Sequence, residues 1–332
     1  MRIRALTTLV LTFAVLAPLP LGAAADPGAA TDGPRGRIFL PNPVVTLHDQ
    51  SLTDRNDADY AALQPAYVVA ALDHLNGSGY LSGDFATVRG ATGRAFAADG
   101  QFLYGRHDDR FEQVMAYFAI TSAQEYIQSL GFHDIQSDGI TVKVNQYGVD
   151  NSYFDPTKDL IRLGKGGVDD AEDLEVIWHE YGHAIQEAES PGFGTNHDSG
   201  SIGEGFGDYW AATMSQPVSA GYGVACIADW DSVSYTSDVP HCLRRVDTDL
   251  TVADVNGRIH HDGEIWSRAL WDIHRALGRR TADTIILTAQ YHFAPGTTFR
   301  DAALETIEAA RQTDDSVAVG VVRTAFEDRG IL

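Results

Sequence analysis

The run His179-Glu180-Tyr181-Gly182-His183 constrains this 332-residue chain more than any other feature. On a helix its two histidines stand one turn apart and face the same way. The run therefore asks for a helix whose imidazoles converge on one point. Two imidazoles at that spacing share a metal ion, and Glu180 between them reaches a water on that ion. A hydrolytic zinc takes three protein ligands and keeps one position open. Glu204, 21 residues beyond His183 in Gly203-Glu204-Gly205-Phe206-Gly207-Asp208, offers the third ligand and requires a second helix packed against the first. Asp208 follows Glu204 at i,i+4, on the same helical face, where it would hold the outer nitrogen of a ligating histidine, His179 first. An amphipathic helix with solvated His and Glu accounts for the first run alone. It does not account for both segments together.

A third segment, Arg258-Ile259-His260-His261-Asp262-Gly263-Glu264-Ile265-Trp266, completes the pattern. With it the chain resembles the gluzincin metallopeptidases of the thermolysin-like and fungalysin group. In that group a His-Glu-x-x-His helix is followed by a Glu-x-x-x-Asp helix and then by a lone histidine opening another helix. Asn151-Ser152-Tyr153-Phe154 is similar to the group's substrate-binding edge-strand segment. Phe39-Leu40-Pro41-Asn42-Pro43-Val44 is similar to the opening of secreted bacterial fungalysin-like domains. The resemblance covers residues 37–332.

The resemblance implies an α+β, thermolysin-like fold of two lobes. Residues 37–178 form a mixed β/α lobe with the substrate edge strand, and residues 179–332 carry the zinc-site helices and a helical lobe. It implies a zinc-dependent endopeptidase with one catalytic Zn2+ on His179, His183 and Glu204. Glu180 is the general base, and His260, rather than its neighbour His261, is the oxyanion donor. Asn151 and the backbone of Ser152 would bind the substrate chain as an added strand. An arginine, Arg245 or the adjacent Arg244, would grip a substrate carbonyl, and an apolar residue is expected just after the cut.

Departures from the group are visible too. Residues 184–203 contain no tyrosine to assist at the oxyanion, which leaves His260 alone or assisted by His197. Asp254 lies one residue too far from His260 to match the usual partner aspartate. The acids Asp169, Asp170, Glu172, Asp173 and Glu175 fit helix capping and dipole complementarity. A Ca2+ site there is possible but not favoured, because Ser215 stands where the double-calcium site needs a carboxylate. Asp54, Asn56, Asp57 and Asp59 form a weaker calcium candidate of the same kind. The metzincin pattern fails, since Gln186 and Glu189 occupy its Gly and His positions. A zinc aminopeptidase lacks its amine-binding Gly-x-Met-Glu-Asn segment but remains the nearest other enzyme. A non-catalytic secreted binding protein on a peptidase scaffold is the alternative of another class, and an intact Glu180 weighs against it.

Residues 1–25 read as a secretory signal: Arg2 and Arg4, an apolar run from Leu9 to Leu21, then Ala23-Ala24-Ala25. The run is too short for a membrane span. Residues 26–36 read as an extended lead-in, so the large propeptide common in the resembled group is not expected between leader and catalytic unit. In an exported chain the two cysteines, Cys226 and Cys242, are expected to pair. The net charge of −22 argues against nucleic acid and anionic membrane as partners. The expected partner is a peptide or protein substrate, and the expected state a secreted monomer. Helices are expected at 111–130, 262–277, 281–291 and 299–311, and strands at 139–144 and 160–163. Intact-mass measurement of the exported protein should give a chain beginning at Asp26; a secreted species that retains Met1 would contradict the leader.

Overall fold

The structure, a computed structural model, describes residues 33–332; the leader and most of the lead-in lie outside the described residues. The lead-in ends earlier than expected, because Arg35 and Gly36 already belong to the first strand. That strand, β1 (Arg35–Phe39), precedes a short helix, α1 (Pro43–Leu47), whose N-cap Asn42 accepts from Val45 N. Strands β2 (Tyr67–Ala71), β3 (Ala86–Gly90) and β4 (Gln101–Phe102) follow, then the long helix α2 (Phe111–Ser129). Strands β5 (Ile140–Val144), β6 (Tyr153–Asp155) and β7 (Leu160–Arg162) close this α+β half. Helices α3 (Leu174–Glu189) and α4 (His197–Ser215) come next, then strands β8 (Cys226–Ile227) and β9 (Arg244–Arg245). The chain ends in α5 (Ile259–Leu277), α6 (Arg279–Gln290), α7 (Phe299–Arg311) and α8 (Ser316–Glu327).

Three strands form one sheet in the order β2-β1-β4. The second sheet runs β3-β5-β7-β6, parallel except for β6, which pairs antiparallel with β7 and leaves its other side free as an edge. The central strand β5 alternates buried Ile140, Val142 and Val144 with partly exposed Thr141 and Lys143, the period of two a half-covered strand requires. Helix α2 backs the sheets and is buried along most of its length, as are Val114, Met115, Tyr117 and Ile120 on it. Two polar contacts register α3 on α2: Trp178 Nε1 donates to Ala119 O at 3.0 Å, and the Tyr181 hydroxyl donates to Gln124 Oε1 at 2.7 Å.

Helix α3 starts where Asp173 caps it, accepting from Glu175 N at 3.0 Å, so the capping role expected of this acidic stretch holds at that residue. Helix α4 opens on a reciprocal cap between Asn196 and Ser199. The second acidic cluster has its cation supplied by the chain itself. Fully buried Arg106 bonds Asp54 Oδ1 at 2.6 Å and Glu172 through Nε at 2.9 Å, which ties the loop at Asp54 to the turn before α3.

Glycines decide how closely α3, α4 and α5 approach. A Cβ on Gly182 of α3 would stand 3.0 Å from the Cα of Gly207 on α4. A Cβ on Gly205 would stand 2.3 Å from the carbonyl oxygen of Gly263 on α5, too close for any other residue. Cys226 and Cys242 form a disulfide across a separation of 16 residues, joining β8 to the segment that leads into β9. Closing a loop of that size stabilises the fold by about 3 kcal/mol in the chain-entropy account. Replacing both cysteines by serine should therefore lower the midpoint of urea unfolding with little change in slope; an unchanged midpoint would mean the loop is held by packing alone.

Candidate active site

The half-buried floor of a cleft gathers the residues singled out by sequence. Helix α3 brings His179 and His183 side by side with ring centroids 4.9 Å apart and planes nearly perpendicular. Helix α4 brings Glu204 opposite them. One potential ligand atom from each of the three lies within 4.8 Å of the others. Glu204 Oε2 sits 3.4 Å from His179 Nε2 and 3.4 Å from His260 Nε2, yet makes no hydrogen bond. Glu180 also faces the cleft, with a buried Oε2 that has no partner. Two imidazole nitrogens and a carboxylate with an unmet oxygen are the donor set a zinc ion takes, and the residues fit such an ion.

Behind His179 lies a buried ion pair. Asp208 Oδ1 accepts from His179 Nδ1 at 2.9 Å, which fixes the tautomer with Nε2 free toward the cleft. Arg244 forks onto the same carboxylate, Nε to Oδ2 and Nη2 to Oδ1, both at 2.7 Å. Gly207 makes room for this arrangement: a Cβ there would come within 2.7 Å of His179 Nδ1.

The electrostatics follow from burial and these pairs. Burial alone would lower His179, but the hydrogen bond to Asp208 and the nearness of Glu204 raise it to about 10. Burial lowers His183 to about 4. Burial raises Glu180 to about 7, with Glu204 and Asp170 adding to the rise against the pull of His179. Burial would raise Glu204 as well, yet the two imidazoles hold it below the usual carboxylate range. A divalent cation among these groups would displace the imidazole proton and favour ionised Glu180.

His260, the second residue of α5, is largely exposed and lines the cleft, whereas His261 turns away and bonds Asp262 Oδ1 at 2.8 Å through Nδ1. Asn151 and Ser152 line the opposite side, immediately before edge strand β6. The Ser152 hydroxyl donates to Asp170.

Two expectations need correction. Arg245 is not at the cleft: its guanidinium pairs with Asp247 at 2.7 Å, and Arg244 lines the cavity instead. The two are neighbours on β9, so their side chains leave opposite faces of the strand, and only one can face inward. His197 does not reach the cleft either. Its Nε2 bonds Asp262 Oδ2 at 2.9 Å, so it ties the start of α4 to the start of α5. Asp254, whose spacing did not match the usual partner aspartate, caps its own turn by accepting from Thr251.

Some residues of the cleft were not read as part of it from the sequence. Tyr235 lines it, with its hydroxyl on Asp150 Oδ1 at 2.7 Å, and so do Asp170 and Asp231. A separate buried triad, Asp173, Glu175 and Asp229, lies within 4.8 Å at the base of α3, with Asn42 Nδ2 donating to Asp229 at 2.8 Å.

Residues 136–292, which span the cleft residues named above, match the family described as fungalysin metallopeptidase (M36). This stretch of the chain is similar to the fungalysin metallopeptidases. A solved structure described as the precursor of protealysin, a metalloproteinase from Serratia proteamaculans, shares the fold. Its TM-score is 0.59 at 18% identity, over 79% of this chain and 91% of that one. No curated protein matches the sequence. The fungalysin-like half therefore carries the site, and the thermolysin-like fold extends beyond it.

Gly207→Ala should weaken zinc affinity by roughly ten- to a hundred-fold, because displacing the His179 ring breaks its hold on Asp208. Competition with a chromogenic chelator measures this, and wild-type affinity in the variant would sink the argument.

Proposed function

We propose that this protein is an exported zinc endopeptidase. The observation that carries the reading is the convergence of His179, His183 and Glu204 within 4.8 Å, beside a Glu180 oxygen that nothing else satisfies. When bound there, zinc supplies Lewis acidity that polarises a peptide carbonyl and makes a water acidic enough to attack near neutral pH.

The chain's own groups do the rest. Glu180 accepts the proton of the attacking water on its free Oε2 and returns it to the leaving amine. His260 donates from Nε2 toward the oxygen that becomes negative as the carbonyl turns tetrahedral. Asp208 and Arg244 keep His179 in the tautomer that presents Nε2. Asn151, Ser152 and the free edge of β6 bind an extended peptide by main-chain hydrogen bonds, which favours cleavage within a chain over trimming at its end. With His197 engaged on Asp262, His260 is the single imidazole donor at the oxyanion. The Cys226–Cys242 disulfide fits an oxidising compartment outside the cell and supports export. Among the described residues no helix is long and apolar enough to cross a membrane.

Residues 26–332 should digest casein, stop on chelation and resume when zinc is restored. Glu180→Ala should lose roughly 10²- to 10⁴-fold in kcat/KM while still binding one zinc, since Glu180 is not a ligand. Full activity in Glu180→Ala, or activity indifferent to chelators, would overturn the reading.

A further inference from the structure

One wall of the cleft carries charge that the proposed hydrolysis does not use. Asp170 and Asp231 line the same cavity of about 470 Å³ as His179, Glu180 and Glu204. With Asp150 they bring one carboxylate oxygen each within 4.8 Å. Their hydrogen bonds are incomplete. Asp150 Oδ1 accepts from the Tyr235 hydroxyl, and Asp170 Oδ2 from the Ser152 hydroxyl. Oδ1 of Asp170 and Oδ1 of Asp231 have no partner, although the two residues are only 2% and 3% exposed. Buried carboxylate oxygens without donors are costly, and two such acids in the wall of a cavity call for a ligand that donates hydrogen bonds and carries positive charge.

The cations nearby are already committed. The Arg244 guanidinium is forked onto Asp208, and Lys165 Nζ bonds Asp109 Oδ1 at 2.8 Å. Burial raises both Asp170 and Asp231 above the usual carboxylate range, as expected of acids lacking a counter-charge. The same cavity also has apolar lining, from Val176, Ile227 and Leu243. An aliphatic stem between those walls would carry a cationic head to the two acids.

We propose that Asp170 and Asp231 form a subsite of the peptide cleft that takes the lysine or arginine side chain of a substrate residue beside the scissile bond. The proposal rests on the peptidase reading and sets this chain apart from the apolar preference that its family resemblance implies. A resident divalent ion fits the wall less well. Calcium takes six to eight oxygen ligands, and here two of the cluster's oxygens already accept from hydroxyls. A free substrate N-terminus would leave the apolar walls unfilled.

The test uses amino-blocked fluorescent peptides identical except at one position, which holds arginine, its neutral isostere citrulline, or norleucine. That position is scanned along the sequence. Binding is measured by polarisation to the zinc-loaded Glu180→Gln protein, so no turnover is needed. At one position the arginine peptide should bind about ten-fold tighter than the citrulline peptide. In Asp231→Asn, and again in Asp170→Asn, the ratio should fall below about two-fold while the norleucine peptide binds as before. Each variant's unfolding midpoint is checked alongside. Equal affinity for arginine and citrulline at every position overturns the subsite, whether or not the wild type cleaves anything. Failure of the wild type to cut any peptide would strike the peptidase reading and leave this ratio readable. Stoichiometric calcium binding that abolishes the arginine preference and is lost in Asp231→Asn would reassign the wall to a metal ion.

Discussion

Asp208 has no exposure to solvent and lies between His179 and Arg244. A carboxylate so buried is tolerable only because two donors neutralise it, and removing either would leave an uncompensated charge. The pair therefore locks three separate pieces of chain into one arrangement: α3 through His179, α4 through Asp208, and β9 through Arg244. Without glycine at the crossing points the helices could not come near enough for these bonds to form. Backbone closeness and buried charge are thus one device, and the donor set in the cleft depends on both.

Much of the site was legible because its chemistry is local in sequence. His179 and His183 share a helical turn, Glu204 and Asp208 share another, and His260 opens a helix whose pattern of Gly263, Glu264 and Trp266 marks it. The helices 111–129 and 299–311 were read almost to the residue, since their apolar positions recur at helical spacing. What stayed hidden has a common physical cause. Strands β1 to β4 are short, and their partners lie far along the chain. Helix α8 buries Ala318, Val322, Ala325 and Phe326 at helical spacing, but Val317, Val319, Val321 and Val322 around Gly320 are residue types that disfavour a helix locally. The choice between Arg244 and Arg245 depended on which face of a two-residue strand points inward. That is set by pairing to β8 and not by composition. His197 looked available because its partner, Asp262, is 65 residues away.

The acidic composition also reads differently once the fold is known. Part of it is surface charge that keeps the chain soluble, but several carboxylates are buried. Asp54 and Glu172 neutralise Arg106, Asp173 caps α3, and Asp262 gathers His197, His261 and the backbone amides of Asn256 and Gly257. Buried carboxylate oxygens without a donor remain elsewhere: at Glu180, Glu204, Asp170 and Asp231 around the cleft, at Asp229 at the base of α3, and at Asp57, Glu112, Asp169 and Glu189. A net charge counts all of these alike and says nothing of which are spent.

The covalent closure between Cys226 and Cys242 encloses Asp229, Asp231 and Tyr235 and ends two residues before Arg244. The ladder between β8 and β9 pairs only two residues on each strand, too little to define the shape of the loop between them. The contour of this flank is held by that cross-link together with the buried packing of Ile227 and Trp230. One side of the cleft is a cross-linked ring, while the other, at β6, is an open strand edge. A chain drawn through this groove therefore runs between a covalently closed ring and a strand edge, and the Tyr235–Asp150 bond ties the one to the segment that leads into the other.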